Sequence, residues 1–580
     1  MTRRTRYCTG WLGRWSLGAS VMAGVLLVAA ACAPAAAPAS APAPGPAAST
    51  PAATRAPVPP TAVAPPTAVP AASGKPSVEQ PRYGGTLISA VPQDPPTIDP
   101  EQEATVFALA PIASAYDSLV QIDPLQLPAK RVVVGDLATK WDVTGDGQTW
   151  TFTLVPKAEW HDGKPLTSAD VKFSIERMRD RPGKIKSPLA SLWAFVSDVT
   201  TPDTRTVVVT TKVPLAYFLT LIATPMASIV PQHVVEANPN ALQTKALGSG
   251  PFSFVSWERG VSIELKRNPN YFVQGRPYLD GTKWLIMKDL ATRIAAFRTG
   301  RINFSGIAET VPPRDQDSIQ QTMPGVQITH YMSGGAAHIF LNVKQKPFDD
   351  IRVRRAVFKA LDQKQVIKVA EQGAAFTGAY LLGDWAPPSS LLQTMTPIQG
   401  PSNQDIADAK NLLTQAGFPN GLSAEYLYPT FGQSKQRALI AQEQMKRIGI
   451  DLTLRVGGDV APTKAMAAEG RYQMTELETT GGLIDPSALL TWYVTGDPGN
   501  YSQLSDETLD GLFAKIGKTI DPVERKHLTD QFQQRLWELA PSFPTRWSSF
   551  DQMVAPSVHN YNGHGIMRDN FRYRDIWIAP

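Results

Sequence analysis

From Ala33 to Lys75 the chain is almost entirely Ala, Pro, Ser, Thr and Val, and this stretch decides what can fold. It has too little bulky apolar surface to repay the entropy of ordering, and its prolines favour an extended spacer of roughly 3 Å per residue. Ahead of it stand Arg3, Arg4, Arg6 and Arg14, then the uncharged run WSLGASVMAGVLLVAAAC ending at Cys32. Basic residues, an apolar run and small residues, in that order, are the pattern of an export signal. Folding is therefore expected from about Arg82 to Pro580. Both cysteines, Cys8 and Cys32, lie outside that body, which excludes a disulfide, a thiol nucleophile and a cysteine-based zinc site within it. Apolar burial must hold it together, and its length predicts two or three packed units.

Charge narrows the function. The formal net charge is +5, four of those positive charges are the N-terminal arginines, and no acid occurs before Cys32. The remainder is close to neutral, which argues against a nucleic-acid binder, whose affinity rests on clustered positive charge.

Along the body, helices and strands alternate. Tyr83 to Ala90 reads as a strand followed by a proline-rich loop, and Trp141 to Leu154 as a hairpin about TGDG, with Phe152 and Leu154 on one face. Asp349 or Asp350 can cap a helix bearing Val353, Val357 and Leu361, and Asn403 to Ala416 is helical up to Gly417. Ala438, Ala441, Met445 and Ile448 form a helical stripe before the strand IDLTLRV. Leu509, Leu512, Phe513 and Ile516 form another, and Asp521-Pro522 opens a further helix through Leu539. The fold class is mixed α/β, without internal repeats or a second membrane span.

Catalytic constellations are absent from the pattern. The seven histidines form no His-Glu-x-x-His helix, and there is no Gly-x-Ser-x-Gly elbow or Walker loop. His559 and His564 bracket HNYNGH without a nearby acid or cysteine, and Gly248-Ser249-Gly250 is only a fragment of a phosphate loop. WHDGKPLTSADV, from Trp160 to Val171, sets His161 beside Asp162, but neighbouring strand residues point to opposite faces. It reads as a turn at Asp162-Gly163 and a helix start capped by Thr167 or Ser168, with Asp170 completing an approximate capping box.

Several pieces together resemble one family: GGTLISAVPQDPPTIDP, YDSLVQIDP, LATKWDVTGDGQTWTFTLVPKAEWHDGKPLTSADVKFSIERM, GSGPFSFVSWERGVSIELKRNPNYF, ATRIAAFRTGRINF, FLNVKQKPFDDIRVRRAVFKALD and AKNLLTQAGFPNG. They are similar, in order, to the extracytoplasmic solute-binding proteins of peptide-type ABC importers, family 5. Val28 to Cys32 likewise resembles a lipobox, with Ala29 where leucine is preferred, which implies a signal peptide over 1–32 and a lipidated Cys32. The resemblance implies a two-lobed periplasmic-binding-protein-like fold (type II, cluster C). Lobe one would comprise 82–119, 214–304 and 496–580, with an extra domain at 120–213, lobe two at 305–495 and a linker at 33–81.

The same resemblance implies a non-catalytic monomer, without cofactor or metal, that closes over a peptide or small polar solute. It would be tethered outside the membrane by its lipid and deliver the solute to a permease with its ATPase subunits. Implied ligand residues are Thr479, Thr480, Gly481 and Gly482 in lobe two, Asp94 after the first strand, and Asn342, Trp385 and Asp485. Gly482 stands where peptide binders of the family place the carboxylate for a free amine. Either Glu476, Glu478 or Asp485 substitutes for it, or the solute lacks that amine. A nickel chelate, an oligosaccharide or another organic solute, and a secreted metal-dependent hydrolase, are the alternative readings.

Overall fold

The computed structural model describes residues 80–580 apart from 104, 128–129, 181–186, 188–189, 306–310, 481–484 and 564–571. The segment read as an export signal, Cys32 and nearly all of the Ala/Pro-rich stretch thus lie outside the described residues. Among those described, no helix is long and apolar enough to cross a membrane.

Local signals build the elements. In strand Thr149–Leu154 the alternation TWTFTL buries Trp150, Phe152 and Leu154, and the strand pairs with Ala138–Val143 in an antiparallel hairpin. Asp350 caps helix Ile351–Ala360 through the Arg352 amide at 2.8 Å. Ser402 and Asp405 form a full capping box on Asn403–Gln415. Asp521 caps Pro522–Leu539, whose proline occupies the first turn, where no amide hydrogen is needed.

Three larger sheets result. The first pairs Thr86–Val91 in parallel with Gly281–Ile286 and continues through Ser262–Arg267 to Phe252–Glu258. A second, in the region 120–213, has four antiparallel strands and shares one continuous core with the first, from Leu87 and Trp284 to Trp150 and Phe152. The third has six strands: Leu422–Tyr428, Ile450–Val456 and Met474–Thr480 run parallel, and Gln327–Leu341 and Ser542–Val554 extend them antiparallel, with Ala375–Phe376 at the edge.

This pairing corrects one expected boundary. Ser542–Val554 belongs to the third sheet, and helices Glu507–Lys518 and Pro522–Leu539 bury Leu509, Ile516, Phe532 and Leu536 in its core. Lobe two therefore continues well beyond 495, because the apolar stripes of those helices meet Phe543 and Val353 rather than the first sheet. Val554 and the segment after it, with Val558, Tyr561, Tyr573 and Ile576, pack into the first core.

The chain passes between the two bodies at 303–305 and 553–555, and these passages are stitched together. The Ser305 amide donates to Met553 O at 2.8 Å, the Ala555 amide to Asn303 O at 2.9 Å, and the Met553 amide to Ser305 Oγ at 2.8 Å. A paired two-strand connection of this kind permits hinge motion while preserving register.

WHDGKPLTSADV is a joint. His161 Nε2 lies 3.0 Å from Gly250 O, whereas Asp162 turns away to His233 at 2.8 Å. Asp170 returns to the Thr167 amide at 2.9 Å, half of a capping box. The glycines at 248 and 250 serve packing: a Cβ at Gly248 would stand 1.9 Å from Ala115 O. His559 stacks on Trp577 at 4.0 Å; its expected companion His564 is outside the described residues.

Candidate functional site

In an α/β sheet the carboxyl ends of parallel strands are the common place for a ligand, because loops diverge there and leave a crevice. In lobe two those ends are Tyr428, Val456 and Thr480. Glu476 and Glu478 project from one face of the strand ending at Thr480, since residues two apart share a face.

A chain of ion pairs covers that face. Arg437 pairs with Glu476 and, at 2.7 Å, with Glu371; Arg546 approaches Glu371 at 3.0 Å and Glu478 at 3.3 Å. The Ser548 hydroxyl adds a bond to Glu478 Oε1 at 2.7 Å. The two glutamates differ sharply. Glu476 is fully buried, with Oε1 held by Arg437 and Oε2 by the Tyr426 hydroxyl. Burial outweighs Arg437 and raises its carboxyl above the ordinary range. Glu478 keeps 22% of its side chain exposed. Burial alone would raise it too, but Arg546, Ser548 and Arg437 together hold it below the ordinary range, ionised. Lys464, whose ammonium burial lowers, is drawn the other way by the Glu478 charge, without a contact ion pair.

Both bodies contribute to a cavity of about 580 Å³. Arg131, Ala216 and Thr220 line it from the side of the two four-stranded sheets; Trp385, Asp485, Arg525 and Lys526 line it from the side of the six-stranded sheet. Asp485 caps helix Pro486–Leu489, and both its oxygens accept from Arg525, at 2.6 and 2.8 Å. Arg525 lies over the Trp385 ring at 5.0 Å, so an ion pair stiffens the aromatic wall.

The expected ligand residues fare differently. Trp385 and Asp485 meet at this cavity. Thr479 and Thr480 end their strand, opposite Ala336 and Gly335; Gly481 and Gly482 lie outside the described residues. Asp94 is engaged within lobe one, accepting from Trp257 Nε1 at 2.9 Å and the Gly260 amide at 2.6 Å. Asn342 is buried, its amide spanning Gly470 O and Tyr472 O at 3.0 Å each. Sequence reasoning missed Arg437, Arg525 and Arg546. No local pattern marks them, since their partners lie 39, 40 and 68 residues away. Among the described residues no cluster of His, Cys, Asp and Glu is arranged to hold a metal ion.

Comparison with known proteins agrees with this architecture. The family of bacterial extracellular solute-binding proteins, family 5 Middle, matches residues 132–501. Glutathione-binding protein GsiB of Salmonella typhi is 26% identical over 498 residues, covering 83% of this chain and 92% of that protein. The same protein of Escherichia coli (strain K12) is 26% identical over 503 residues, with coverages of 84% and 94%. Among solved structures, the periplasmic murein tripeptide binding protein MppA, in an unliganded open form, superposes with a TM-score of 0.75 at 21% identity, covering 86% and 97%. The binding protein AgaA of A. tumefaciens R10, in complex with agropinic acid, gives a TM-score of 0.63 at 27% identity, covering 86% and 99%.

Proposed function

The chain belongs to the bacterial extracellular solute-binding proteins, family 5, and from that premise we propose that its solute is a short peptide or a peptide-like compound such as glutathione. It is the substrate-binding component of an ABC importer, acts outside the cytoplasm, and binds rather than catalyses. The observation that carries the solute reading is the cavity lined from both bodies, with the passages at 303–305 and 553–555 as the hinge. A solute that touches both walls stabilises the closed arrangement by its differential contacts, and the permease then receives that closed form. The peptide class is supported by the glutathione-binding relatives, which match along most of this chain.

The tether is part of the proposal. Cys32 carries a lipid that anchors the protein at the membrane, and the Ala/Pro spacer lets the monomeric body stand away from it. Cys32→Ser moves the protein from the membrane to the soluble fraction; continued membrane retention overturns the anchor. The solute reading is tested by thermal unfolding with glutathione, di- and tripeptides, nickel chelates and oligosaccharides. A rise in Tm with peptides or glutathione, and no turnover of them, is expected. A rise only with the other two classes refutes the peptide reading.

A further inference from the structure

Away from the two passages, the bodies also meet directly. Leu215 is buried in the first core and Ile516 in the core of the six-stranded sheet. Their neighbours touch: the Ala216 amide donates to Gly517 O at 3.3 Å. Gly517 lies in the last turn of helix Glu507–Lys518, where carbonyls lack a partner within the helix, and here the other body supplies one. Three residues on, Ile520 sits against the turn between strands Ala138–Val143 and Thr149–Leu154. Asp142 to Asp146 are exposed there, whereas Gly147 is buried. A Cβ at Gly147 would stand 2.6 Å from Ile520 Cδ1 and 3.4 Å from Pro214 Cβ. The absent side chain leaves a notch, and Ile520 occupies it.

We infer that Ile520 seated on Gly147, with the hydrogen bond from Ala216 to Gly517, is a latch that limits how far the bodies swing apart when no solute is bound. Both halves are fixed within their own body. On one side, the Thr211 amide and hydroxyl donate to Gln148 O at 2.9 and 3.1 Å, which ties the chain ahead of Pro214 to the turn. On the other, Asp521 caps helix Pro522–Leu539 through the Val523 and Glu524 amides, and Arg525 Nε donates to Ile516 O at 2.9 Å. Ile520 is thus held between two helix ends. Ala216 and Ile520 both line the cavity shared by the bodies, so an opening that widens the cavity there pulls them apart. The paired passages at 303–305 and 553–555 fix register but leave the angle between the bodies free. One hydrogen bond and one side chain that keeps 38% of its surface exposed make a weak contact, which biases opening without preventing it. The latch rests on the hinge reading above and not on the class of solute.

The test is small-angle X-ray scattering of the purified protein without solute, as wild type, Ile520→Asp and Val523→Asp. Val523 lines the same cavity but is 77% exposed, so its variant adds the same charge without touching the notch. Ile520→Asp is expected to show a larger radius of gyration than wild type, with unchanged far-ultraviolet circular dichroism. Val523→Asp is expected to match wild type. A scattering curve of Ile520→Asp that superimposes on wild type overturns the latch. So does an equal expansion in Val523→Asp, which would trace the change to charge in the cavity, and so does an expansion that comes with loss of helical signal. If Ile520→Asp fails to fold, Ile520→Ala takes its place under the same outcomes. Failure of the latch leaves the receptor reading standing, because that reading is measured with solute present.

Discussion

At the joint between the first sheet and the extra domain, Arg177 reaches Asp99 at 2.6 Å and Glu101 at 2.6 Å, and all three side chains are sealed from solvent. At the end of the lobe-two sheet, Arg437 and Arg546 bind Glu371, Glu476 and Glu478 with similar geometry, but the last carboxylate stays partly exposed. The parts are the same and the surroundings differ. A network sealed from solvent fastens two elements and lies out of a ligand's reach, although Glu101 Oε1 makes no hydrogen bond within it. A network whose last carboxylate reaches solvent leaves that group accessible.

The sharpest way to break this comparison is to remove the central cation of the closed network. Arg177→Met strands two buried carboxylates and is expected to cost about 3–5 kcal/mol in denaturant unfolding, with no change in ligand preference in the folded fraction. Asp485→Asn opens the smaller pair with Arg525 and is expected to cost about 2–3 kcal/mol, with a shift in tryptophan fluorescence from Trp385.

A pH series separates Glu101 from Glu478 by sign. Burial raises the Glu101 carboxyl to about 8, above its unfolded value of about 4.3. The folded protein therefore holds the proton more tightly than the unfolded chain. That contribution is complete below the unfolded value and is lost as pH rises through about 8. Thermal stability should fall between about pH 5 and 8, and Glu101→Gln should flatten the slope. An unchanged slope contradicts the account. Glu478 is held below the ordinary range, so its smaller contribution runs the other way: present above the unfolded value and lost on acidification.

The smallest effect on stability belongs to the open network. Glu478→Gln, partly exposed and able to keep its bond from Ser548, is expected to change unfolding by less than about 1 kcal/mol. A loss as large as that of Arg177→Met would make Glu478 a structural residue like those of the joint.

Much of the architecture was legible because its signals are local. Alternation in TWTFTL, Asp350 and Asp521 as caps, and the stripe Ala438, Ala441 and Met445 each act within a few residues. The C-terminal boundary was not legible, since Ser542–Val554 pairs with a strand about 200 residues earlier, and nothing in its own sequence names that partner. The site follows the same rule. Trp385 and Asp485 were named from positions matching the family and both line the cavity, but the bonds Asp485 makes are set by Arg525, 40 residues later. Asp94 and Asn342 show the converse: polar residues in matching positions whose bonds are spent on Trp257, Gly260, Gly470 and Tyr472.

Closure over a solute is the claim on which the rest depends, and small-angle X-ray scattering tests it directly. The purified protein is measured alone and with Ala-Ala-Ala or glutathione at a concentration that calorimetry shows to be saturating. A smaller radius of gyration in the saturated sample is the expected result. Superimposable scattering curves at full occupancy would contradict a hinge at 303–305 and 553–555 and the receptor mechanism built on it.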